Sequence, residues 1–384
     1  MKQFTCCIVL GTRPEIIKMA PVIQACQEQE VSFFLVHTGQ HYSYRMDKIF
    51  LEELGLPPAK YHLEIGSGSH GYQTGGMLVR IEQILFDERP DVTLVQGDTN
   101  TVLAGALACA KSSTRIGHVE AGLRSYDRTM PEEINRMLTD HVADFLFAPT
   151  DTSKQNLLRE GVAPENIFVT GNTIVESIRN HVEMAQQKSS ILAKLKLRQQ
   201  NYFLLTAHRA ENVDYRERLE GLLEGFRQIG EFYDIPLVWP IHPRTKKNIH
   251  IFGLEKPFRA IPRLRVVEPL GFWDFLRLMS NAKLVLTDSG GMQEETCILK
   301  IPCVTLRENT ERPETLEVRS NILAGTDPER MFAAAQEMLG RQREWNHPFG
   351  DGTTGNQIIE ILKRFSGDTE KVEGIHLEMN SVKI

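Results

Sequence analysis

The sequence predicts an α/β fold built from two similar parallel-sheet units. Short runs rich in Val, Ile, Leu and Phe alternate with amphipathic stretches along almost the whole chain. These runs lack strict alternation of polar and apolar residues, which is typical of parallel strands buried on both faces. The order strand, helix, strand, helix favours a doubly wound sheet. The series pauses at a long polar stretch over residues 172–197 and then starts again.

The first unit is predicted to span residues 1–172, with helices such as 14–29 and 101–111 between its strands. Most of its strands are short and apolar, as expected for a sheet covered on both faces. The expected strands cover residues 4–10, 31–36, 92–96, 115–119, 145–148 and 167–169.

The second unit is predicted over residues 173–353, and a polar helix ending in a linker-like stretch leads into it. One of its helices shows apolar residues at 3.6 spacing: Leu219, Leu222, Leu223, Phe226 and Ile229. A last helix at about 354–366 is expected to pack back on the first unit, before a polar tail at 367–384. Two such units imply an intervening cleft, where ligands commonly bind. The expected strands cover residues 203–206, 237–241, 265–267, 284–287 and 303–306.

The composition is that of an ordinary globular protein. The chain has 384 residues, 41% hydrophobic and 24% charged, with a net charge of -6. That charge gives no electrostatic reason to expect nucleic acid as a partner. The N-terminal apolar run is too short for a membrane span and lacks a convincing signal-peptide cleavage site, so we expect a cytoplasmic protein without a membrane segment. Six scattered cysteines show no metal-ligand spacing, so we expect buried, reduced thiols and no metal.

Three carboxylates lie at the predicted rim of the first sheet. Asp98 stands in GDTNT, Glu120 in GHVEAGLRS and Glu132 in MPEEINR. Each follows a strand-like run or opens a helix, so each should lie where ligands of such sheets bind. Acids gathered beside a phosphate site suggest proton transfer. For any one acid alone, a helix cap or a solvated charge is the simpler interpretation.

Two strand-to-helix turns are candidates for binding phosphate. In the first, Gly11 permits a tight turn, Pro14 suits the first helical position, and Arg13 can reach an anion held by the loop amides. Lys18 lies one turn further along the same helix. An ordinary turn with a solvated arginine is the alternative.

The second turn, TDSGG at residues 287–291, gives the stronger phosphate signal. Ser289 would cap the following helix or donate its hydroxyl to a phosphate. Gly290 and Gly291 would let an anion approach the backbone closely. Glu294 or Glu295 could accept ribose hydroxyls, or could simply compensate the helix dipole.

Histidines and arginines follow other strands of the second unit. His208 and His242 stand after two strands at equivalent positions, which favours ligand contact over the structural role usual for a lone histidine. Arg307 and Arg312, the latter in an ERPE segment, offer further cations for a diphosphate. The GSGSHG stretch at 66–71 lacks the context of a nicotinamide fingerprint, so no NAD and no other cofactor is expected.

The motifs together resemble the non-hydrolysing UDP-N-acetylglucosamine 2-epimerases. The resemblance implies two Rossmann-like domains in a glycosyltransferase-B-like arrangement, with the active site in the interdomain cleft. It also implies a UDP-sugar substrate, a role in polysaccharide synthesis and a homodimer. The matching segments run in order from about residue 4 to 365: GTRPEIIKMAP, TGQH, GDTNTVLAGALA, GHVEAGLRS, MPEEINR, TGNTIVE, TAHRAEN, HPRT, DSGGMQEE and ERPE.

Residue roles follow from the same resemblance. It implies a catalytic set of Asp98, Glu120, Glu132 and His208. It implies UDP-sugar contacts from Arg13, Lys18, Ser289, Gly290, Gly291, Glu295 and Arg312, to which the strand-end position adds His242.

The implied reaction is inversion at C2 of UDP-N-acetylglucosamine (UDP-GlcNAc), which gives UDP-N-acetylmannosamine. A carboxylate alone cannot remove the C2 proton, so expulsion of UDP must acidify it and give 2-acetamidoglucal. Cations should stabilise the departing diphosphate, and like charges among the acids should raise one pKa. Three alternatives stay open: a hydrolysing epimerase, disfavoured by Pro14-Glu15 where a GTRAD-like start is usual, a glycosyltransferase of the same fold, and a UDP-sugar sensor.

Overall fold

Two parallel β-sheets form the framework of the protein. The computed structural model describes residues 4–40, 50–112 and 114–365. One sheet comes from each half of the chain, and helices cover both faces of each sheet. The α/β fold with two sheet-containing units that the sequence predicts is therefore confirmed.

The first sheet contains β1 (Thr5–Leu10), β2 (Ser32–His37), β3 (Tyr61–His62), β4 (Val92–Gln96), β5 (Arg115–Val119), β6 (Phe145–Ala148) and β7 (Ile167–Val169). The strands are parallel and lie in the order β3-β2-β1-β4-β5-β6-β7. In this register Ile8 lies between Leu35 and Leu94. The strand order reverses between β1 and β4, which opens a crevice at the carboxyl edge.

The main helices of the first unit are α1 (Arg13–Glu28), α2 (His70–Glu88), α3 (Asn100–Ala110), α4 (Pro131–Val142) and α5 (Asp151–Arg159). One face of the sheet packs on α1, where Ile16 and Ile23 are fully buried. The other face packs on α2 and α3, where Ile81 and Val102 are fully buried. The two cores fix the loops at the carboxyl edge from both sides.

The second sheet contains β8 (Phe203–Thr206), β9 (Leu237–Pro240), β10 (Leu264–Val267), β11 (Leu284–Thr287), β12 (Cys303–Thr305) and β13 (Asn321–Leu323). The strands are parallel in the order β10-β9-β8-β11-β12-β13. Here the order reverses between β8 and β11, so each sheet has its own crevice at a carboxyl edge.

The helices of the second unit include one at the positions where apolar spacing predicts it. The five apolar residues expected on the core face of α9 are all buried. The helices are α6 (Ile174–Lys188), α7 (Ile191–Lys194), α8 (Ala210–Val213), α9 (Arg216–Tyr233), α10 (Pro243–Ile251), α11 (Glu255–Arg259), α12 (Phe272–Ser280), α13 (Gly290–Ile298), α14 (Pro313–Glu317) and α15 (Pro328–Gly340).

The last described helix, α16 (Thr354–Phe365), returns to the first unit. Its buried residues Ile358, Ile359 and Leu362 belong to the same core as those of α1. The two crossings between the units touch at Gly171 and Gly350, where φ is +83° and +89°. A Cβ on Gly171 would lie 3.1 Å from Cα of Gly350, so both glycines permit the close approach.

Two local predictions were wrong. The long helix expected over 172–197 is broken into α6 and α7, because Ser189 leaves the helix in an extended conformation. Its hydroxyl donates to Asp274 at 2.5 Å and accepts the Ile191 amide at 3.2 Å, which gives the chain an alternative to helical bonds. The short edge strands β3 and β13 were also missed, since two or three residues carry little periodicity. The expected tail at 367–384 lies outside the described residues.

Candidate active site

The loops at the carboxyl ends of the two sheets face each other and carry the candidate residues. Asp98 follows β4 and Glu120 follows β5, both beside the crevice of the first sheet. His208 follows β8 and Ser289 follows β11, on both sides of the crevice of the second sheet. The cleft between the units is therefore the candidate active site.

Asp98 is held by a buried arginine and reaches the cleft. Arg136 donates to Asp98 Oδ2 from Nε at 3.0 Å and from Nη2 at 2.6 Å. The Asp98 side chain keeps 28% of its surface exposed. Burial raises the pKa of Asp98, but the positive charge of Arg136 outweighs it, so the pKa lies below its ordinary value. Asp98 is therefore an ionised carboxylate near neutral pH. The sequence analysis expected repulsion between the acids to raise the pKa of one of them, and that acid is not Asp98.

Glu120 lies at a strained turn and is almost fully enclosed. Its φ is +72°, a left-handed conformation that is uncommon for residues other than glycine. Lys18 Nζ donates to both carboxylate oxygens at 2.7 Å, and Gln96 donates to Oε2. Arg312 Nη2, from the second unit, donates to Oε1 at 2.6 Å. The carboxylate is thus fixed from three sides.

Lys18, Glu120, Glu294 and Arg312 form a closed ring of ion pairs across the cleft, the interdomain ion ring. Lys18 is 3.0 Å from Glu294 Oε2, and Arg312 Nε is 2.9 Å from Glu294 Oε1. Asn172 also donates to Glu294 Oε1 at 2.9 Å. Burial lowers the pKa of Lys18, but the negative charges of Glu120 and Glu294 raise it by more. The pKa therefore lies above its ordinary value and the ammonium stays charged.

The interdomain ion ring contains two residues that the sequence analysis considered as ligand contacts. Lys18 was expected beside a phosphate, but here it is committed to two carboxylates, Glu120 and Glu294. Glu294 was one candidate for a ribose contact, yet it is fully buried and engaged by Lys18, Arg312 and Asn172. That leaves Glu295 as the candidate for the ribose, and burial raises its pKa to about 7.

Glu132 and Glu133 are neighbours in α4 with different surroundings. Glu133 is fully buried, and its oxygens accept the amides of Ser125 at 3.0 Å and Tyr126 at 2.8 Å. Glu132 is partly exposed, and its charge is among those that raise the pKa of Arg209 against the effect of burial. Glu133 therefore shapes the loop before α4, while Glu132 remains accessible at the cleft.

His208 and His242 lie side by side, with ring centroids 5.7 Å apart. Asp288 anchors the first of them: its Oδ2 accepts the amides of His208 and Arg209 at 2.9 Å, and its Oδ1 lies 3.3 Å from His208 Nδ1. The His208 side chain is 42% exposed. His242 caps α10, because its Nδ1 accepts the Arg244 amide at 3.2 Å. The pair faces the cleft from the second unit.

The turn before α13 places Ser289 at the N-cap, and an internal carboxylate lies against Gly290. A Cβ on Gly290 would clash with Oε1 of Glu311 and would lie 3.7 Å from Arg312 Nη1. That Nη1 has no hydrogen-bond partner among the described residues. Glycine was predicted here so that an anion could approach the backbone, and the anion that does so in this structure is Glu311.

Glu311 lies at the centre of an arginine cluster. Arg307 and Arg312 approach its oxygens at 2.8 and 3.3 Å, and Arg209 and Arg136 approach at 3.5 and 3.7 Å. Burial raises the pKa of Glu311, but the arginine charges hold it well below its ordinary value. Arg307, expected as a cation for a diphosphate, is instead fully enclosed beside Glu311.

The first predicted phosphate turn is occupied by its own side chain. Glu15 Oε2 accepts the amides of Gly11 at 2.6 Å and Thr12 at 3.1 Å, and Oε1 accepts the Thr99 hydroxyl at 2.6 Å. Burial raises the pKa of Glu15 to about 7 in spite of these bonds. In this structure the amides of Gly11 and Thr12 therefore bind Glu15. Arg13 lies over the ring of Phe50, 4.6 Å from its centroid.

A cavity of about 310 Å³ opens where the two units meet. Asp127 and Thr129 line it from the first unit, and Glu211, Glu308 and Asn309 line it from the second. Asn309 donates to Asp127 across the gap at 3.2 Å. The cavity adjoins the arginine cluster, since Glu211 is 3.4 Å from Arg307.

The described part of the chain offers neither a metal site nor a membrane-spanning helix. There, no three His, Cys, Asp or Glu side chains are grouped to hold a metal ion. Within the same residues, no helix is both long and apolar enough to cross a bilayer. All six cysteines are described, buried and free. His41, the end of the TGQH motif, lies outside the described residues.

Sequence reasoning missed the residues that hold the acids in place. Arg136 ends the MPEEINR motif, yet only the structure shows that it binds Asp98. Gln96 and Glu311 likewise lie inside quoted motifs or directly beside them. Their position next to predicted site residues was the available signal.

Known proteins share this chain's sequence along most of its length. A family model described as UDP-N-acetylglucosamine 2-epimerase matches residues 24–363. The UDP-N-acetylglucosamine 2-epimerase of Methanocaldococcus jannaschii is 54% identical over 357 residues, which cover 92% of this chain and 98% of the relative. The UDP-2,3-diacetamido-2,3-dideoxy-D-glucuronate 2-epimerase of Pseudomonas aeruginosa is 39% identical over 360 residues, covering 93% and 98%.

A solved structure shares the fold of both units. It is the M. jannaschii UDP-GlcNAc 2-epimerase in complex with UDP-GlcNAc and UDP. The TM-score is 0.90 at 53% identity, and the match covers 94% of this chain and 100% of the other. The glycosyltransferase-B-like arrangement of two Rossmann-like units is thereby confirmed.

Proposed function

This chain belongs to the UDP-N-acetylglucosamine 2-epimerase family, and on that premise we propose that it interconverts UDP-GlcNAc and UDP-N-acetylmannosamine without releasing free sugar. The observation that carries the proposal is the cleft itself. Asp98, Glu120 and Glu132 come from the first unit. The turn before α13 comes from the second unit, as do Arg209, Arg307 and Arg312. This arrangement supports a sugar placed beside the acids and a diphosphate placed beside the cations.

The proton at C2 is the chemical problem that the acids must solve. No carbonyl stands beside C2, so we propose that UDP leaves C1 and that the charge developing there acidifies the neighbouring C–H bond. Loss of the C2 proton with UDP gives 2-acetamidoglucal and UDP. Return of a proton to the opposite face of C2, with return of UDP to C1, gives the epimer.

We assign the proton transfers to Asp98 and Glu132. Asp98 is ionised and partly exposed, so it can accept a proton from a ligand in the cleft. Glu132 is partly exposed at the start of α4, on the other side of the loop that Glu133 anchors. Glu120 is enclosed by Lys18 and Arg312, which supports a role in electrostatics and positioning.

Charge on the departing diphosphate needs fixed donors. Arg312 Nη1 lies beside Gly290, where its contact is an ion pair with Glu311 Oε1 at 3.3 Å, and we propose that it donates to a phosphate oxygen when UDP is bound. Ser289 is the N-cap of α13, and we propose that its hydroxyl and the first amides of this helix also bind the phosphates. We propose Arg13, Gly291 and His242 as further UDP contacts, Glu295 as the ribose contact, and His208 as a catalytic donor to the leaving group.

The reaction in D2O tests this function. The protein is incubated with UDP-GlcNAc and followed by ¹H NMR and mass spectrometry. We expect both UDP-sugars to appear, each carrying deuterium at C2, with no accumulation of free sugar. Free N-acetylmannosamine and UDP would identify a hydrolysing epimerase, and no reaction without an added acceptor would favour a glycosyltransferase or a sensor.

A second substrate is favoured by one relative. The P. aeruginosa protein, 39% identical, is named for a diacetamido uronic acid attached to UDP. The same elimination would serve such a sugar, because the reacting carbons are unchanged. Parallel incubations with the two UDP-sugars decide between them. A higher kcat/KM for the UDP-linked uronic acid would identify it, and not UDP-GlcNAc, as the preferred substrate.

We also propose a homodimer, as the resemblance implies. Tyr72, Val79 and Phe86 are exposed along one side of α2 at seven-residue spacing. Light scattering during gel filtration measures the mass in solution, and a monomer at micromolar concentration would contradict this proposal.

A further inference from the structure

A buried row of ionisable residues lies behind the two turns that carry Asp98 and Glu120. It runs from His118 on β5 to Asp140 on α4, then to Arg124 and Glu160. His118, Asp140 and Arg124 are each at most 3% exposed. None of the three reaches the cleft, and the proposed chemistry uses none of them.

Asp140 fixes the strained turn that holds Glu120. The amides of Glu120 and Ala121 both donate to the Phe147 carbonyl, at 3.0 and 3.1 Å. The next amide, of Gly122, donates to Asp140 Oδ2 at 3.1 Å. A non-glycine residue at a φ of +72° persists only where its surroundings hold it. Asp140 is the charged part of that support.

His118 connects the same carboxylate to the turn that holds Asp98. Its Nδ1 lies 2.6 Å from Asp140 Oδ1, and its Nε2 donates to the Gly97 carbonyl at 2.9 Å. Gly97 has a φ of +86° and immediately precedes Asp98. The two catalytic turns are therefore joined through one histidine and one aspartate.

Arg124 and Glu160, at the outer end of this row, keep Asp140 oriented. Arg124 Nη1 donates to Asp140 Oδ2 at 2.7 Å, and its other donors reach Glu160 at 2.8 and 2.6 Å. Burial raises the pKa of Asp140, but His118 and Arg124 outweigh it and keep the carboxylate ionised. A charged acceptor so enclosed has few alternative positions.

We propose that His118 and Asp140 are positioning residues that set the separation and orientation of Asp98 and Glu120. The proposal rests on the proposed function, because it gives the two acids a reaction to serve. Its physical basis is that a misplacement of catalytic groups by about 1 Å can slow a reaction roughly 100-fold. Removing the shared support should therefore slow the chemical step more than it weakens UDP binding.

Asp144, which is exposed, provides a control that contacts the same strand. It lies at the other end of β5, where its Oδ2 accepts the Ile116 amide at 2.7 Å. Asp144→Asn and Asp140→Asn thus each weaken one carboxylate clamp on the same strand. They differ in distance from the carboxyl edge. Asp140 is buried and Asp144 is exposed, so Asp140→Asn is expected to lose more stability whatever its role in the reaction. A purely structural role predicts that turnover falls only as far as the folded fraction does.

The kinetic test compares Asp140→Asn with Asp144→Asn in the full-length protein. Turnover and C2 deuterium exchange are measured alongside UDP affinity by calorimetry and unfolding by urea. We expect kcat to fall roughly 10- to 100-fold in Asp140→Asn, with little change in UDP affinity. Asp144→Asn should keep wild-type kcat. Wild-type kcat in Asp140→Asn, or equal loss in both variants, would overturn the proposal.

Two substitutions of His118 give a milder comparison if Asp140→Asn folds poorly. A glutamine places its amide near Nε2 and can still donate to Gly97, whereas an asparagine reaches toward Asp140 only. We expect His118→Gln to retain more turnover than His118→Asn. Equal activity in both variants would contradict the connection to Gly97.

Crystal structures separate this proposal from the proposed function. The positions of the Asp98 and Glu120 carboxylates in Asp140→Asn are compared with those in Asp144→Asn. Displacement in the first variant alone supports the positioning role even if the wild-type protein fails to epimerise UDP-GlcNAc. Unmoved carboxylates in both variants would refute the positioning role whatever the reaction is.

Discussion

Lys18 and Glu294 belong to different units and lie 3.0 Å apart in a buried ion pair. Lys18 also binds Glu120, so contact between the units bears directly on a candidate catalytic acid. Opening the cleft would separate Lys18 from Glu294 and Arg312 from Glu120. The interdomain ion ring thus links closure of the cleft to the placement of Glu120.

Loss of one charge from the interdomain ion ring should open or destabilise the closed form. Glu294→Gln leaves Lys18 and Arg312 with one carboxylate fewer, at a cost of about 3–5 kcal/mol for a buried pair. Urea unfolding measures the loss, and small-angle scattering reports opening. The control is Glu268→Gln, which breaks the exposed pair with Lys246 and should cost about 1 kcal/mol or less. Equal effects in both variants would contradict a role in closure.

Neutralising either acid should abolish chemistry while UDP still binds. Asp98→Asn is expected to lower kcat by roughly 100- to 10,000-fold through loss of proton transfer. Glu120→Gln is expected to lower kcat by roughly 100-fold through loss of positioning. Removal of the negative charge near Arg136 does not weaken attraction for a diphosphate, so UDP affinity should hold in Asp98→Asn. Glu120→Gln also removes a charge from the interdomain ion ring, so it should bind UDP but lose stability. Steady-state kinetics and calorimetry test both parts. Wild-type rates in both variants would remove these acids from the mechanism.

Gly290→Ala should destabilise the protein through contact with Glu311. The added Cβ would clash with a carboxylate fixed among arginines, and such overpacking costs about 1–3 kcal/mol. Gly291→Ala is the stability control, because a Cβ there meets nothing within 4 Å. That variant should be neutral or slightly more stable, since alanine favours a helix. A stability loss of similar size in both variants would argue against the Glu311 contact.

Glu15→Gln should change how stability depends on pH. The pKa of Glu15 is raised in the folded state to about 7 from its ordinary value of 4.5. Its stabilising effect is therefore complete below pH 4.5 and is lost as the pH rises through 7. A glutamine can make similar hydrogen bonds without titrating. Relative to wild type, we expect the variant to gain about 3 kcal/mol between pH 5 and pH 8.5, measured by urea unfolding. An unchanged difference between the two pH values would contradict the raised pKa.

The sequence predicts the fold well because its signals are local. Apolar runs mark the buried strands, and 3.6 spacing identifies the core face of α9. Asp98, Glu120 and Ser289 could be placed at strand ends for the same reason. The break at Ser189 could not be predicted, because it depends on a hydrogen bond to Asp274, 85 residues away.

The pairings within the site were not readable from sequence. Lys18 and Arg13 both look like phosphate ligands by charge, yet Lys18 is buried against Glu120, 102 residues away. Glu15 lies in a turn typical of anion binding and satisfies that turn itself. Which cation meets which carboxylate depends on how the two units close. No local pattern encodes that closure.

The return of α16 to the first unit has a consequence for biosynthesis. Ile358, Ile359 and Leu362 complete an apolar core whose other members were translated more than two hundred residues earlier. While the second half emerges from the ribosome, the nascent first sheet therefore carries uncovered apolar surface near α1. Domains generally fold in order during synthesis, but here the core of the first unit is complete only when α16 has been made. Chaperone dependence should accordingly be greatest for chains stalled before residue 354.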